Sequence, residues 1–125
     1  MSNNTLPRWH EYTDTKNPEL LAQILHEEAV FHSPVVHTPQ VGKPIVTAYL
    51  QAAMAVFAKG SFEYVGEWAS GNGAVLEFRS QLDGVVVNGV DIISWDDEGL
   101  IVDFKVMVRP LKAVNHLHGL MKAML

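Results

Sequence analysis

Val85-Val86-Val87-Asn88-Gly89-Val90-Asp91-Ile92-Ile93-Ser94-Trp95 is the stretch on which the reading of this chain turns. Its β-branched residues and turn-bounded ends mark a strand, and period-two alternation places Val85, Val87, Gly89, Asp91, Ile93 and Trp95 on one face. Asp83-Gly84 precedes it and Asp96-Asp97-Glu98-Gly99 follows, both sequences that reverse a chain between antiparallel neighbours. Outward from these turns lie the strand-like runs Ala74–Leu82 and Leu100–Val108, and beyond Gly71-Asn72-Gly73 a further one, Phe62–Ala69. Hairpin-linked strands therefore fill the second half.

The first half carries helical spacing instead. Leu6, Trp9 and Tyr12 recur every three residues, and Pro18 at a first helical position opens Glu19–Glu28 with Leu20, Leu21, Ile24 and Leu25. Residues 29–36, rich in valine and punctuated by Pro34, predict a short strand at a sheet edge. Gly42-Lys43-Pro44 starts a third helix, Ile45 to Ala58, whose stripe of Val46, Tyr49, Leu50, Ala53, Met54 and Phe57 needs a sheet to cover. After Pro110 a last helix presents Leu111, Val114, Leu117, Leu120, Met121, Met124 and Leu125. Helices first and strands afterwards predict one α+β domain over residues 1–125, its antiparallel sheet curling around the helices.

Composition narrows the function. Nine basic against fourteen acidic residues, with no Lys/Arg run, provide no phosphate-neutralising patch, so nucleic acid is not an expected partner. No segment approaches eighteen uninterrupted apolar residues, so no membrane span is expected. The start Met1-Ser2-Asn3-Asn4-Thr5 lacks an export signal, and the chain has no cysteine; a cytoplasmic location is the expectation. The glycosylation pattern at Asn3 then reads as chance.

The candidate chemistry centres on Asp91. On an apolar face its carboxyl would be pushed toward the neutral form, a donor able to hold a carbonyl oxygen or an oxyanion. On the opposite assignment of faces it is an ordinary surface acid, and periodicity alone leaves both open. The same parity groups Leu76, Phe78 and Ser80 with Val102, Phe104, Val106 and Val108 beside it. Such stripes are pocket walls or plain core. His32 and His37 flank Pro34 and could approach the rim as proton-transfer groups, or serve as surface or structural histidines. No metal site is expected, because His116 and His118 are two apart on a helix and His26-Glu27-Glu28 lacks a second histidine. No cofactor is expected either: Gly71-Asn72-Gly73 is a hairpin turn, not a phosphate loop, and no Gly-x-Ser-x-Gly elbow occurs. The acidic Asp96-Asp97-Glu98 reads as a solvated turn.

The element order, with Leu20–Val35, Val90–Phe104 and Val106-Met107-Val108-Arg109-Pro110-Leu111-Lys112, resembles SnoaL-like and ketosteroid-isomerase-like proteins of the nuclear-transport-factor-2 (NTF2)-like superfamily. The resemblance spans nearly the whole chain. It implies an NTF2-like cone, in which a curved, mostly antiparallel sheet wraps three N-terminal helices, a C-terminal helix follows, and a pocket opens between them; it also implies a homodimer. Laid against ketosteroid isomerases, Arg8-Trp9 through Ser33-Pro34 runs without a gap, and Val90-Asp91-Ile92-Ile93-Ser94-Trp95 falls on the strand of the oxyanion-binding aspartate. Asp91 inherits that position. Ser33 stands where the family's proton-shuttling aspartate would be, and Trp9 where its phenolic donor would be; serine is a poor base and an indole cannot share a proton as a phenol does. The arginine of the related epoxide hydrolases is replaced by Gly89.

The expected function is a cofactor-independent isomerase, cyclase or dehydratase acting on a hydrophobic carbonyl compound. Asp91 binds the oxygen, His32 or His37 handles the proton, and Trp9, Ser33, Phe57, Phe78, Phe104 and Val108 hold the substrate. A non-catalytic ligand-binding protein, favoured by Ser33, and a dimerisation domain with a filled interior are the alternatives.

Overall fold

The computed structural model describes residues 4–124. Met1, Ser2 and Asn3, part of the N-terminal reading, and Leu125 of the terminal stripe lie outside them. The order is α1 (Thr5–Thr15), α2 (Pro18–Ile24), β1 (Leu25–His32), β2 (Gln40–Val41), α3 (Lys43–Phe57), β3 (Ser61–Ser70), β4 (Gly73–Leu82), β5 (Val85–Trp95), β6 (Ile101–Arg109) and α4 (Leu111–Met124). One six-stranded sheet runs β2-β1-β6-β5-β4-β3, antiparallel throughout except for the β1–β6 pair. It curves around the helices in the α+β arrangement expected. No helix among the described residues is long and apolar enough to cross a membrane.

The second helix is shorter than its spacing predicts. Asn17 caps it by accepting from the Glu19 N–H, but it stops at Ile24, and Leu25-His26-Glu27-Glu28 enters β1. Leu25 and Ala29 are both buried four residues apart, which in sequence looks helical. In a strand the same even spacing also puts both on one face, and both turn to the core, with the register against β6 breaking between Leu25 and Val30. Pairing with Ile101 and Phe104 outweighs the local helical preference. Nor is β1 an edge strand, because two-residue β2 lies outside it and Pro34 falls beyond its last residue.

Along β5 the expected alternation holds: Val87, Ile93 and Trp95 are buried with Asp91, and Leu76, Phe78 and Ser80 face the same side from β4. In β6 the parity fails once. Ser94 pairs with Asp103 and Trp95 with Ile101, so Val102 is an extra residue that turns Ile101 into the core in the place expected of Val102. Trp9, Leu50, Phe57, Phe78 and Phe104 meet between sheet and helices, each apolar side chain contributing on the order of 1.5–3 kcal/mol by leaving water. On α4, Ala113, Leu117 and Met121 are buried; Leu111 and Met124, expected on the covered stripe, are exposed.

Candidate active site

The core is not quite filled. A cavity of about 40 Å3 remains between the sheet, α1, α3 and α4. Trp9, Ser33, Phe57, Phe78 and Phe104 border it, as does Asp91, while Met54 of α3 and Leu117 and Met121 of α4 close it off. That volume accommodates a water molecule but not an organic substrate, so any such ligand must displace these flexible side chains.

Asp91 is 6% exposed and, among the described residues, is the only ionisable side chain on the cavity wall. Its β4 and β6 partners are Leu76 and Val106, which offer no charge. Burial lifts its carboxyl from 3.8 to about 7, partly opposed by a hydrogen bond from Tyr64. Tyr64 Oη donates to Asp91 Oδ2 at 2.6 Å, and Trp9 Nε1 donates to Tyr64 Oη at 2.9 Å. Burial first, and then the Asp91 charge, push the phenol well above 10, so Tyr64 remains a donor.

Trp9 therefore borders the cavity with its ring but spends its indole N–H on Tyr64. The ring is tilted 4.9 Å from Phe104 and 5.4 Å from Tyr12. Tyr64 itself was not anticipated. Its sequence signal is Phe62-x-Tyr64, the same period-two inward pattern as Leu76-x-Phe78 on the adjoining strand. A bulge at Val65 then returns Glu67 to the helix side, where it bonds His10 at 2.8 Å; the His10 ring stands edge-on to Tyr64.

The two histidines are not brought to Asp91. Phe31 points inward from β1, which sends His32 to the other side, where Nε2 lies 3.0 Å from Asp103 Oδ1. His32 and His37 border an adjoining surface depression, which shares Ser33, Pro34 and Val106 with the cavity; neither histidine, nor Val108 beside them, is on the cavity wall itself. Strand parity thus turns His32 away from Asp91, and neither histidine expected to handle the proton lines the cavity beside it. Among the described residues no three His, Asp or Glu side chains are grouped to hold a metal ion.

A curved sheet packed against helices is the fold of the NTF2-like class; an NTF2-like protein of unknown function from Mesorhizobium loti, 21% identical over 88% of this chain and 97% of that one, shares it with a TM-score of 0.73. Within that class the SnoaL-like domain matches residues 6–104, and the chain belongs to the SnoaL-like family. It is similar to a steroid delta-isomerase from Pseudomonas aeruginosa, 38% identical over 95% of this chain and 87% of that one, with a TM-score of 0.90. It is also similar to an uncharacterized cystatin-fold protein from Silicibacter pomeroyi, 31% identical over 95% and 83%, with a TM-score of 0.86. A putative isomerase of the SnoaL-like family from Agrobacterium tumefaciens, 21% identical over 86% and 98% with a TM-score of 0.66, shares the fold. Among curated proteins none matches.

Proposed function

We propose that the chain binds a small hydrophobic carbonyl compound and isomerises it without a cofactor, with Asp91 carrying the proton. The observation behind this is a single ionisable group on an otherwise apolar wall, with a carboxyl at about 7. Near neutral pH such a group is populated in both forms, as acid–base catalysis requires. For a β,γ-unsaturated ketone, the Asp91 carboxylate takes the proton between the carbonyl and the double bond, and the electron pair moves to oxygen as an enolate. The same proton then returns to the far carbon of the shifted double bond. No co-reactant is consumed. Similarity to a steroid delta-isomerase favours this reaction class.

A non-catalytic binding role is the second reading, favoured by the absence of another ionisable wall residue among those described. Adding a 5-ene-3-oxo steroid or a smaller cyclic β,γ-enone and following conjugated-enone absorbance, with melting temperature in parallel, separates the two. Growth of absorbance abolished by Asp91→Ala supports catalysis. A rise in melting temperature without turnover selects binding, and neither response defeats both readings.

The homodimer belongs to the same proposal. Val86 and Met107 are 41% and 53% exposed on the outer face of the sheet, with half-buried Val90 and Ile92 among them. A second copy related by a two-fold axis would cover that face.

A further inference from the structure

Tyr64 stands behind the cavity wall, yet it holds one of the two oxygens of the acid on that wall. The reach from β3 to β5 crosses β4, two strand spacings of about 4.8 Å, which a tyrosine spans and a serine or threonine does not. The phenol has one proton, committed to Asp91 Oδ2, and Trp9 commits its only donor to the phenol oxygen. Tyr64 is fixed in turn by edge contacts with Phe62 at 5.1 Å and His10 at 5.3 Å. Among the described residues Asp91 Oδ1 has no hydrogen-bond partner.

We infer that Tyr64 is a positioning residue that determines specificity: by occupying Oδ2 it leaves Oδ1 of Asp91 as the single contact for a ligand, and so selects compounds presenting one oxygen, ketones and phenols. This rests on the reading that ligands enter the cavity beside Asp91. A carboxyl group grips an amidine, an amide or another carboxylic acid through two parallel bonds, which engage both of its oxygens. With Oδ2 bonded to the Tyr64 hydroxyl, the two-point grip is closed off. A phenol needs only one point, donating to Oδ1 of the carboxylate, and a ketone only one, accepting from Oδ1 when the acid is protonated.

The groups that bear on Asp91 are few. Tyr64 of β3 bonds it directly; Glu67 of β3 and His10 of α1, bonded to each other, lie beyond the Tyr64 ring. The cavity wall offers only apolar groups from α3 and α4, Met54, Leu117 and Met121 among them, and β4 and β6 place Leu76 and Val106 beside it. The acid–base behaviour of Asp91 therefore reports on Tyr64.

The test compares the full chain with its Tyr64→Phe variant. Carbon NMR follows the Asp91 carboxyl, and calorimetric titrations measure 4-nitrophenol and benzamidine. Tyr64→Phe removes a bond that favours the carboxylate, so Asp91 should titrate higher. The wild type should prefer nitrophenol, and in the variant that preference should narrow by about five- to tenfold as Oδ2 is released. A measurement on the wild type needs no substitution: the ζ-carbon of Tyr64 should shift with the Asp91 midpoint. An Asp91 titration unmoved by Tyr64→Phe, an unchanged ratio of the two affinities, or a Tyr64 resonance indifferent to Asp91 overturns the inference. If neither compound binds the wild type, the ligand reading of the preceding subsection fails, and the positioning role is decided by the two titrations.

Discussion

Replacing Asp91 by Asn should make the protein more stable at neutral pH, and by an amount that grows with pH. The folded carboxyl titrates at about 7 and the exposed one at 3.8, because burial penalises the charge. Between those values the native chain keeps a proton that the unfolded chain has released, so unfolding releases a proton and stability falls as pH rises. At about 1.36 kcal/mol for each pH unit, the interval amounts to a loss of about 4 kcal/mol, complete above about pH 7. Asn cannot ionise, yet its amide oxygen can still accept from Tyr64 and its NH2 can face the cavity. Urea melts of both proteins at several pH values isolate the effect, since every other titrating group is common to them. The difference should be small near pH 4 and reach about 4 kcal/mol near pH 8, on the order of 15 °C in melting temperature for a domain of this size. Stability curves that run parallel across that range would refute the burial argument, and with it the acid–base role given to Asp91.

Four further outcomes follow from the geometry. Light scattering at tens of micromolar should give twice the 13.9 kDa of one chain; a monomer would leave the exposed outer sheet face without the proposed partner. His32→Ala and His37→Ala should leave binding of 4-nitrophenol unchanged, because both side chains lie off the cavity; a marked loss in titrations would restore them to the site. Gly89→Ala should cost about 1–3 kcal/mol in urea melts, since a Cβ there would come within 2.6 Å of the Met107 carbonyl oxygen and 2.5 Å of Phe78 Cζ. Met121→Ala should cost about 2–4 kcal/mol and enlarge the cavity, so bulkier phenols should gain affinity relative to small ones; an unaltered size preference in competition titrations would remove α4 from the role of cover.

Much of the fold could be read from spacing, because β3 to β6 have turn residues at their ends and a two-residue period between them. Spacing misleads where tertiary pairing overrides local pattern. Leu25 and Ala29, four apart, fit one face of a helix and of a strand alike, and the pairing of β1 with Ile101 and Phe104 on β6 decides between them. Val102 misled for the same reason, since one extra residue in β6 exchanges the two faces from that point on. The site divides along the same line. Asp91 could be found from parity within its own strand and from the family resemblance together. The histidines could not be placed without knowing which side of β1 faces the helices, and Phe31 settles that against His32.

Tyr64 was hidden for a different reason. Its bond to Asp91 is made across an intervening strand, which no pattern within Ser61–Ser70 records. The resemblance to ketosteroid isomerases implies a phenolic donor at the position of Trp9, and in this chain the phenol beside the buried acid comes from β3, with the Trp9 indole N–H bonded to it. Compared residue by residue along the chain, the acid has no phenolic partner on α1; compared in space, it has one on β3. An indole in place of a phenol on α1 is therefore compatible with a buried acid that is still hydrogen-bonded, because Trp9, Tyr64 and Asp91 form one chain of hydrogen bonds that ends at the cavity wall.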